Sequence, residues 1–96
     1  MNPISLKIEY QRKAEKFLGR NQAKITVEEV RSLVIKAVRR LAGKNENIDL
    51  VKMKGEFDGY FRIRKNNLRI IFSIYEDDKE IVVTIVDIDF RGNIYK

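Results

Sequence analysis

The spacing of apolar residues changes character once along this chain, near its middle, and that change narrows the possible folds more than any other feature. Helical spacing dominates the first half and two-residue alternation the second. Helices followed by a run of strands imply an α+β domain, with the helices laid on one face of a mainly antiparallel sheet.

Residues 4–9 alternate apolar and polar, with Ile4, Leu6 and Ile8 on one side, which predicts a short half-buried strand ahead of the helices. From Tyr10 the apolar positions become Tyr10, Ala14, Phe17 and Leu18, the spacing of a short amphipathic helix. It lacks a good cap at its start and stops at Gly19 or soon after. Thr26 and Glu29 then form a Thr-x-x-Glu pattern, in which each side chain satisfies the other residue's backbone N–H, so a second helix starts there. Val30, Leu33, Val34, Ala37, Val38 and Leu41 make its apolar stripe. Gly43 is its stop, and Arg39 and Arg40 suit the negative end of its dipole. Residues 44–50 read as a loop.

The second half predicts two hairpins. Asn66-Asn67 tolerates positive φ, and a two-residue turn there pairs Phe61 with Phe72, Ile63 with Ile70, Arg64 with Arg69 and Lys65 with Leu68. A turn at Asp77-Asp78 pairs Glu76 with Lys79, Ile74 with Ile81, Phe72 with Val83 and Ile70 with Ile85. One face then collects Phe61, Ile63, Ile70, Phe72, Val83 and Ile85 as the surface for the helices. The other collects Tyr60, Arg62, Arg64, Arg69, Ile71, Thr84 and Val86, a basic front. The expected architecture is an N-terminal strand and two helices packed on a sheet of about four strands.

Composition removes whole classes of chemistry. At 96 residues the chain is read as one domain, 1–96, and with 44% hydrophobic residues it can bury a core. Without cysteine there is no disulfide scaffold and no thiolate site; without histidine there is no His-based triad, metal site or acid/base pair. No metal and no cofactor is expected. The apolar runs are far shorter than the roughly 20 residues that span a bilayer, and the start has no signal-peptide core. The expectation is an unprocessed cytoplasmic protein with no membrane partner. The excess of 20 Lys+Arg over 14 Asp+Glu, a net +6, favours nucleic acid or an acidic protein as partner.

Charge is also segregated. Residues 52–69 hold Lys52, Lys54, Arg62, Arg64, Lys65 and Arg69 against Glu56 and Asp58, whereas residues 76–89 hold six acids against Lys79. The predicted register sets Arg64 directly opposite Arg69, an arrangement that commonly costs a few tenths to ~1 kcal/mol. It suggests that an anion visits that face, although exposed arginines can also splay apart. The terminal Arg91-Gly92-Asn93-Ile94-Tyr95-Lys96 is unusual for a tail, which is ordinarily polar and dispensable; packing of Ile94 and Tyr95 would account for it equally.

Taken in order, Met53-Lys54-Gly55, Tyr60-Phe61-Arg62-Ile63-Arg64, Arg69-Ile70-Ile71-Phe72 and Arg91-Gly92-Asn93-Ile94-Tyr95 resemble the RelE/ParE superfamily of type II toxin–antitoxin systems. The resemblance spans the whole chain in length and element order, with its motifs in residues 53–95. RelE-like members are ribosome-dependent endoribonucleases that cut mRNA in the decoding site; ParE-like members inhibit DNA gyrase on the same fold. By resemblance to the RelE branch, Arg62 and Arg64 stand at its two basic strand positions and Arg69 at its hairpin arginine. Arg91 and Tyr95 stand at its C-terminal arginine and tyrosine. Phe90 stands where many relatives carry histidine, which removes a possible acid/base group.

Cleavage through the 2′-OH needs a base for that hydroxyl, an acid for the leaving 5′ oxygen, and positive charge where the phosphorane forms. Tyr95 is the candidate base, its phenol (ordinarily ~10) favoured as phenolate by the nearby cations. Arg69 and Arg91 are assigned to phosphate and transition-state charge, and Arg64 or Arg62 to the acid. This is a weak set, in keeping with a family that relies on the ribosome to position its substrate. Lys52, Lys54, Lys65, Arg39 and Arg40, with Arg31, are candidates for rRNA phosphates, or simply a solvated basic surface. The resemblance further implies a RelB-like antitoxin with an acidic segment, and operator DNA is a candidate target of the toxin–antitoxin complex. A gyrase-binding toxin and a non-catalytic RNA-binding relative remain the alternatives.

Overall fold

The computed structural model describes residues 5–90. Alternation carries β1 through Ser5–Tyr10, with Leu6, Ile8 and Tyr10 turned to the core. Tyr10 therefore ends a strand rather than opening the first helix, and Ile4 lies outside the described residues. Helix α1 spans Arg12–Arg20, with no side-chain cap at Gln11 and with Ala14 and Leu18 buried. Helix α2 spans Val27–Leu41 behind a complete Thr26–Glu29 capping box. It ends as its glycine requires. Gly43 adopts φ 90°, and the N–H groups of Gly43 and Lys44 return to the carbonyls of Arg40 and Arg39. Val30, Leu33, Val34 and Ala37 are buried, whereas Leu41, at the end of the expected stripe, is exposed.

The sheet has five strands rather than four, in the order β1-β5-β4-β3-β2. The additional one is β2, Asp49–Lys52, which takes the end of the segment read as a loop and pairs antiparallel with β3, Phe61–Lys65. A single 3-10 turn at Gly55–Phe57 lies between them. β4 is Leu68–Glu76 and β5 is Glu80–Phe90; β1 pairs with β5 in parallel, and the other neighbours are antiparallel. Both helices pack on one face, their buried residues forming one core with Ile63, Ile70, Phe72, Val83, Ile85 and Ile88. Among the described residues no helix is long and apolar enough to cross a membrane.

The β3–β4 hairpin has the expected register from Phe61↔Phe72 to Lys65↔Leu68, turning at Asn66 with φ 55°. The β4–β5 hairpin does not. Phe72 pairs with Ile85 and Ile74 with Val83, two residues beyond the expected partners, because the turn is centred one residue later, on Asp78-Lys79 between Asp77 and Glu80. Asp77 fixes it: its Oδ1 accepts from the N–H groups of Lys79 (2.8 Å) and Glu80 (2.9 Å), and its own N–H donates to the Glu80 carbonyl. A shift of two preserves the alternation, so the apolar face expected up to Ile85 is kept. Beyond it, Val86 is an extra residue in β5, opposite the step between Ile71 and Phe72. This bulge brings Ile88 and Phe90 to the helix side and Asp87 and Asp89 to the other.

The same two N–H groups hold the Asp77 carboxyl below its ordinary range. A lowered folded-state pKa adds stability above the unfolded carboxylate pKa of about 3.9, and that stability disappears as pH falls through the folded value. Asp77→Ala is therefore expected to lower the melting temperature at pH 7, with the difference from the parent shrinking as the pH is taken below about 4. A difference that persists undiminished at acid pH would assign the effect to something other than this carboxylate.

Candidate functional site

Cross-strand partners share a face of the sheet, so the register alone assembles a row across four strands: Asp49 on β2, Arg64 on β3, Arg69 on β4 and Asp89 on β5. The adjacent row runs Val51, Arg62, Ile71 and Asp87. Arg62, Arg64 and Arg69 thus come together on the face away from the helices, as expected. The surface they occupy is not the uniformly basic front that the sequence suggested. The acidic β5 and the basic β3–β4 hairpin lie side by side, and each end of the Arg64–Arg69 pair meets a carboxylate.

Asp49 links two of the arginines. Its Oδ2 accepts from Arg64 Nε at 3.0 Å, and its Oδ1 lies 3.6 Å from an Arg62 terminal nitrogen. Arg62 Nε is buried and has no hydrogen-bond partner among the described residues, a donor for which a buried guanidinium normally finds an acceptor. Arg69 is 8% exposed, and Ile71 beside it is buried as well. Asp87 is held by Lys13 of α1 at 3.2 Å. Asp49 thus takes up part of the hydrogen-bonding capacity of Arg62 and Arg64, the capacity an anion would use.

Asp49→Asn is therefore expected to strengthen polyanion binding. The pair is partly exposed, so folding stability should change by no more than about 1 kcal/mol. Elution from heparin should move to higher salt. Earlier elution would show instead that Asp49 holds the arginines in the geometry an anion needs.

The remaining candidates divide. Lys52 and Lys65 pair with Phe61 and Leu68, so the register turns them toward the helix side rather than the arginine face. Lys54 precedes the 3-10 turn and is exposed. Arg39 forms an ion pair with Glu46, and Arg40 donates to the carbonyls of Glu46 (3.2 Å) and Ile48 (3.4 Å). These two arginines fasten the α2–β2 connection, a structural task the sequence reading did not anticipate. Arg91 and Tyr95 lie outside the described residues. Tyr10 offers no substitute base: burial raises its phenol, opposed by Arg31, and it faces the helix side. No group of acidic, His or Cys residues that could hold a metal occurs among the described residues.

Asp49, Asp87 and Asp89 were not among the site residues expected from sequence. Ile48 and Leu50, two apart around Asp49, carry the strand alternation that would have placed it. The two aspartates of β5 needed the bulge at Val86, which has no comparable signal.

No protein-family model and no curated protein matches the sequence. Solved structures do match, and they define the architecture as the RelE/ParE-like toxin fold. A YoeB/ParE toxin from Agrobacterium tumefaciens is 17% identical, with a TM-score of 0.65 over 88% of this chain and 97% of its own. The DinJ–YafQ complex of E. coli gives 12% and 0.66, over 96% of this chain and 100% of that one. The RelB–RelE antitoxin–toxin complex of Methanococcus jannaschii gives 20% and 0.56, over 91% and 94%.

Proposed function

We propose that this chain is the toxin of a type II toxin–antitoxin system and acts as a ribosome-dependent mRNA endoribonuclease. The observation that carries the reading is the gathering of Arg62, Arg64 and Arg69 on the face away from the helices of a RelE/ParE-like fold. Guanidinium groups fixed there by strand register are suited to hold a phosphate and to offset charge as the phosphorane forms. Arg91 and Tyr95 complete the set by resemblance, Arg91 as a further phosphate ligand and Tyr95 as the base. The ribosome supplies the substrate positioning that so sparse a site lacks.

An antitoxin partner follows from the same reading, since similar structures include toxin–antitoxin complexes. A RelB-like acidic segment would compete with RNA for the arginines, so the complex should weaken as salt rises. Lys52, Lys54 and Lys65 are left as rRNA contacts away from the arginine row, and operator DNA as a target of the complex.

Expression in a bacterial host tests the reading. Growth arrest that disappears in Arg69→Ala and Tyr95→Phe is expected, and arrest that survives both changes would sink the residue assignment. The likeness to a toxin described as YoeB/ParE favours one second reading, gyrase inhibition. Its mark would be DNA-damage signalling with mRNA intact.

A further inference from the structure

We infer that Phe57 and Tyr60 form a stacking platform for an unpaired base of the RNA whose phosphate lies against Arg62 and Arg64. The inference rests on the proposed RNA-cleaving function and assigns to it a base-binding subsite. Strand alternation continued back from β3 puts Tyr60 on the same face as Arg62 and Arg64, as the next outward-facing residue along the strand. Phe57 lies beside it, the ring centroids 6.3 Å apart and tilted by 57°, so neither ring lies flat on the other.

Phe57 is 42% exposed, so its ring is accessible to a ligand. The segment that presents it is braced. Met53 N–H donates to the Tyr60 carbonyl (2.9 Å), Tyr60 N–H to Phe57 (2.9 Å) and Asp58 N–H to Gly55 (3.1 Å). Gly55 and Gly59 make the turns at φ 71° and 94°, conformations that side chains rarely adopt. A platform held this way loses little entropy when a ligand settles on it.

The charges around the rings identify the ligand. Glu56 and Asp58 flank Phe57 and would repel a phosphate, whereas the donors of the arginine face begin at Arg62; Lys54, ahead of the turn, is left to rRNA. A strand crossing this face would set its phosphate on the arginines and its neutral, flat base on the rings, the combination that single-stranded RNA sites use.

The test is single-turnover cleavage of mRNA on programmed ribosomes by the full chain, comparing Phe57→Ala, Tyr60→Ala and Tyr60→Phe. Each mRNA is used intact and with one abasic nucleotide stepped through the positions around the cut. Either alanine change should weaken cleavage of intact mRNA about tenfold, the size of a lost base stack. Tyr60→Phe should restore it. At one position the abasic mRNA should be cut more slowly by the parent and no more slowly still by the alanine variants. Undiminished cleavage by both alanine variants would overturn the subsite and leave the rings to a protein contact. So would a loss of the same size at every abasic position, the pattern of a merely structural role. If Tyr60→Ala fails to fold, the exposed Phe57 decides the matter alone. A parent that cuts no mRNA would remove the function itself, and the subsite with it.

Discussion

Arg69→Lys is expected to slow mRNA cleavage about 100-fold or more while leaving the protein folded, the scale of losing one aligned donor to transition-state charge. Lysine keeps a positive charge opposite Asp89 but loses the planar fork that can meet two phosphate oxygens together. Arg69→Ala should cost activity and stability at once. Arg69 is buried in the Asp49–Arg64–Arg69–Asp89 row, so its removal takes the cation away from the strand position facing Asp89. Truncating a side chain buried in this way costs about 1–3 kcal/mol, a sizeable part of the roughly 5–14 kcal/mol that holds a domain of this size. The lysine variant therefore separates chemistry from folding. Cleavage by Arg69→Lys at the parental rate, with an unchanged melting temperature, would exclude Arg69 from phosphate binding.

Phe72→Ala is expected to be the most destabilising truncation in the sheet, costing about 3–5 kcal/mol. Phe72 is fully buried on β4, between β3 and β5, and its ring stacks on Phe61 with centroids 5.5 Å apart. Removing it opens a cavity in the core shared by the helices and the sheet, a space that close-packed neighbours refill only in part. Urea unfolding followed by circular dichroism reads the change as a lower midpoint. Tyr75→Ala, three residues along the same strand and 63% exposed, is the control and should change stability by no more than about 0.5 kcal/mol. Equal losses at the two positions would contradict the assignment of the core to the helix-covered face.

Most of this architecture was legible because apolar periodicity encodes which face of an element is buried. The Thr26–Glu29 box, the α2 stripe as far as Ala37 and the β3–β4 register were read residue by residue, including Arg64 opposite Arg69. What escaped depended on local backbone chemistry. Two consecutive aspartates allow a two-residue turn on Asp77-Asp78 or one residue later, on Asp78-Lys79, and the paired acceptance of Asp77 from Lys79 and Glu80 decided for the second. Both turns leave the alternation in phase, so the wrong register still identified the right core. The bulge at Val86 reversed that phase and brought Asp87 and Asp89 beside the arginines. With β2 hidden in a segment read as a loop, the acids flanking the row could not be seen. The inference from two facing arginines to a visiting anion therefore began from an incomplete electrostatic picture. Asp49 is bonded to Arg64 and Asp89 stands across from Arg69, so the two arginines do not face each other as a bare like-charge pair.

The central claim is that this arginine face cuts RNA on the ribosome. The most direct measurement is primer extension on mRNA from programmed ribosomes incubated with the purified protein, with Arg69→Lys and Tyr95→Phe beside the parent. New 5′ ends within the A-site codon, lost in both variants, are the predicted result. Intact mRNA with the parent protein would contradict the claim and shift the reading to gyrase inhibition or to a non-catalytic relative.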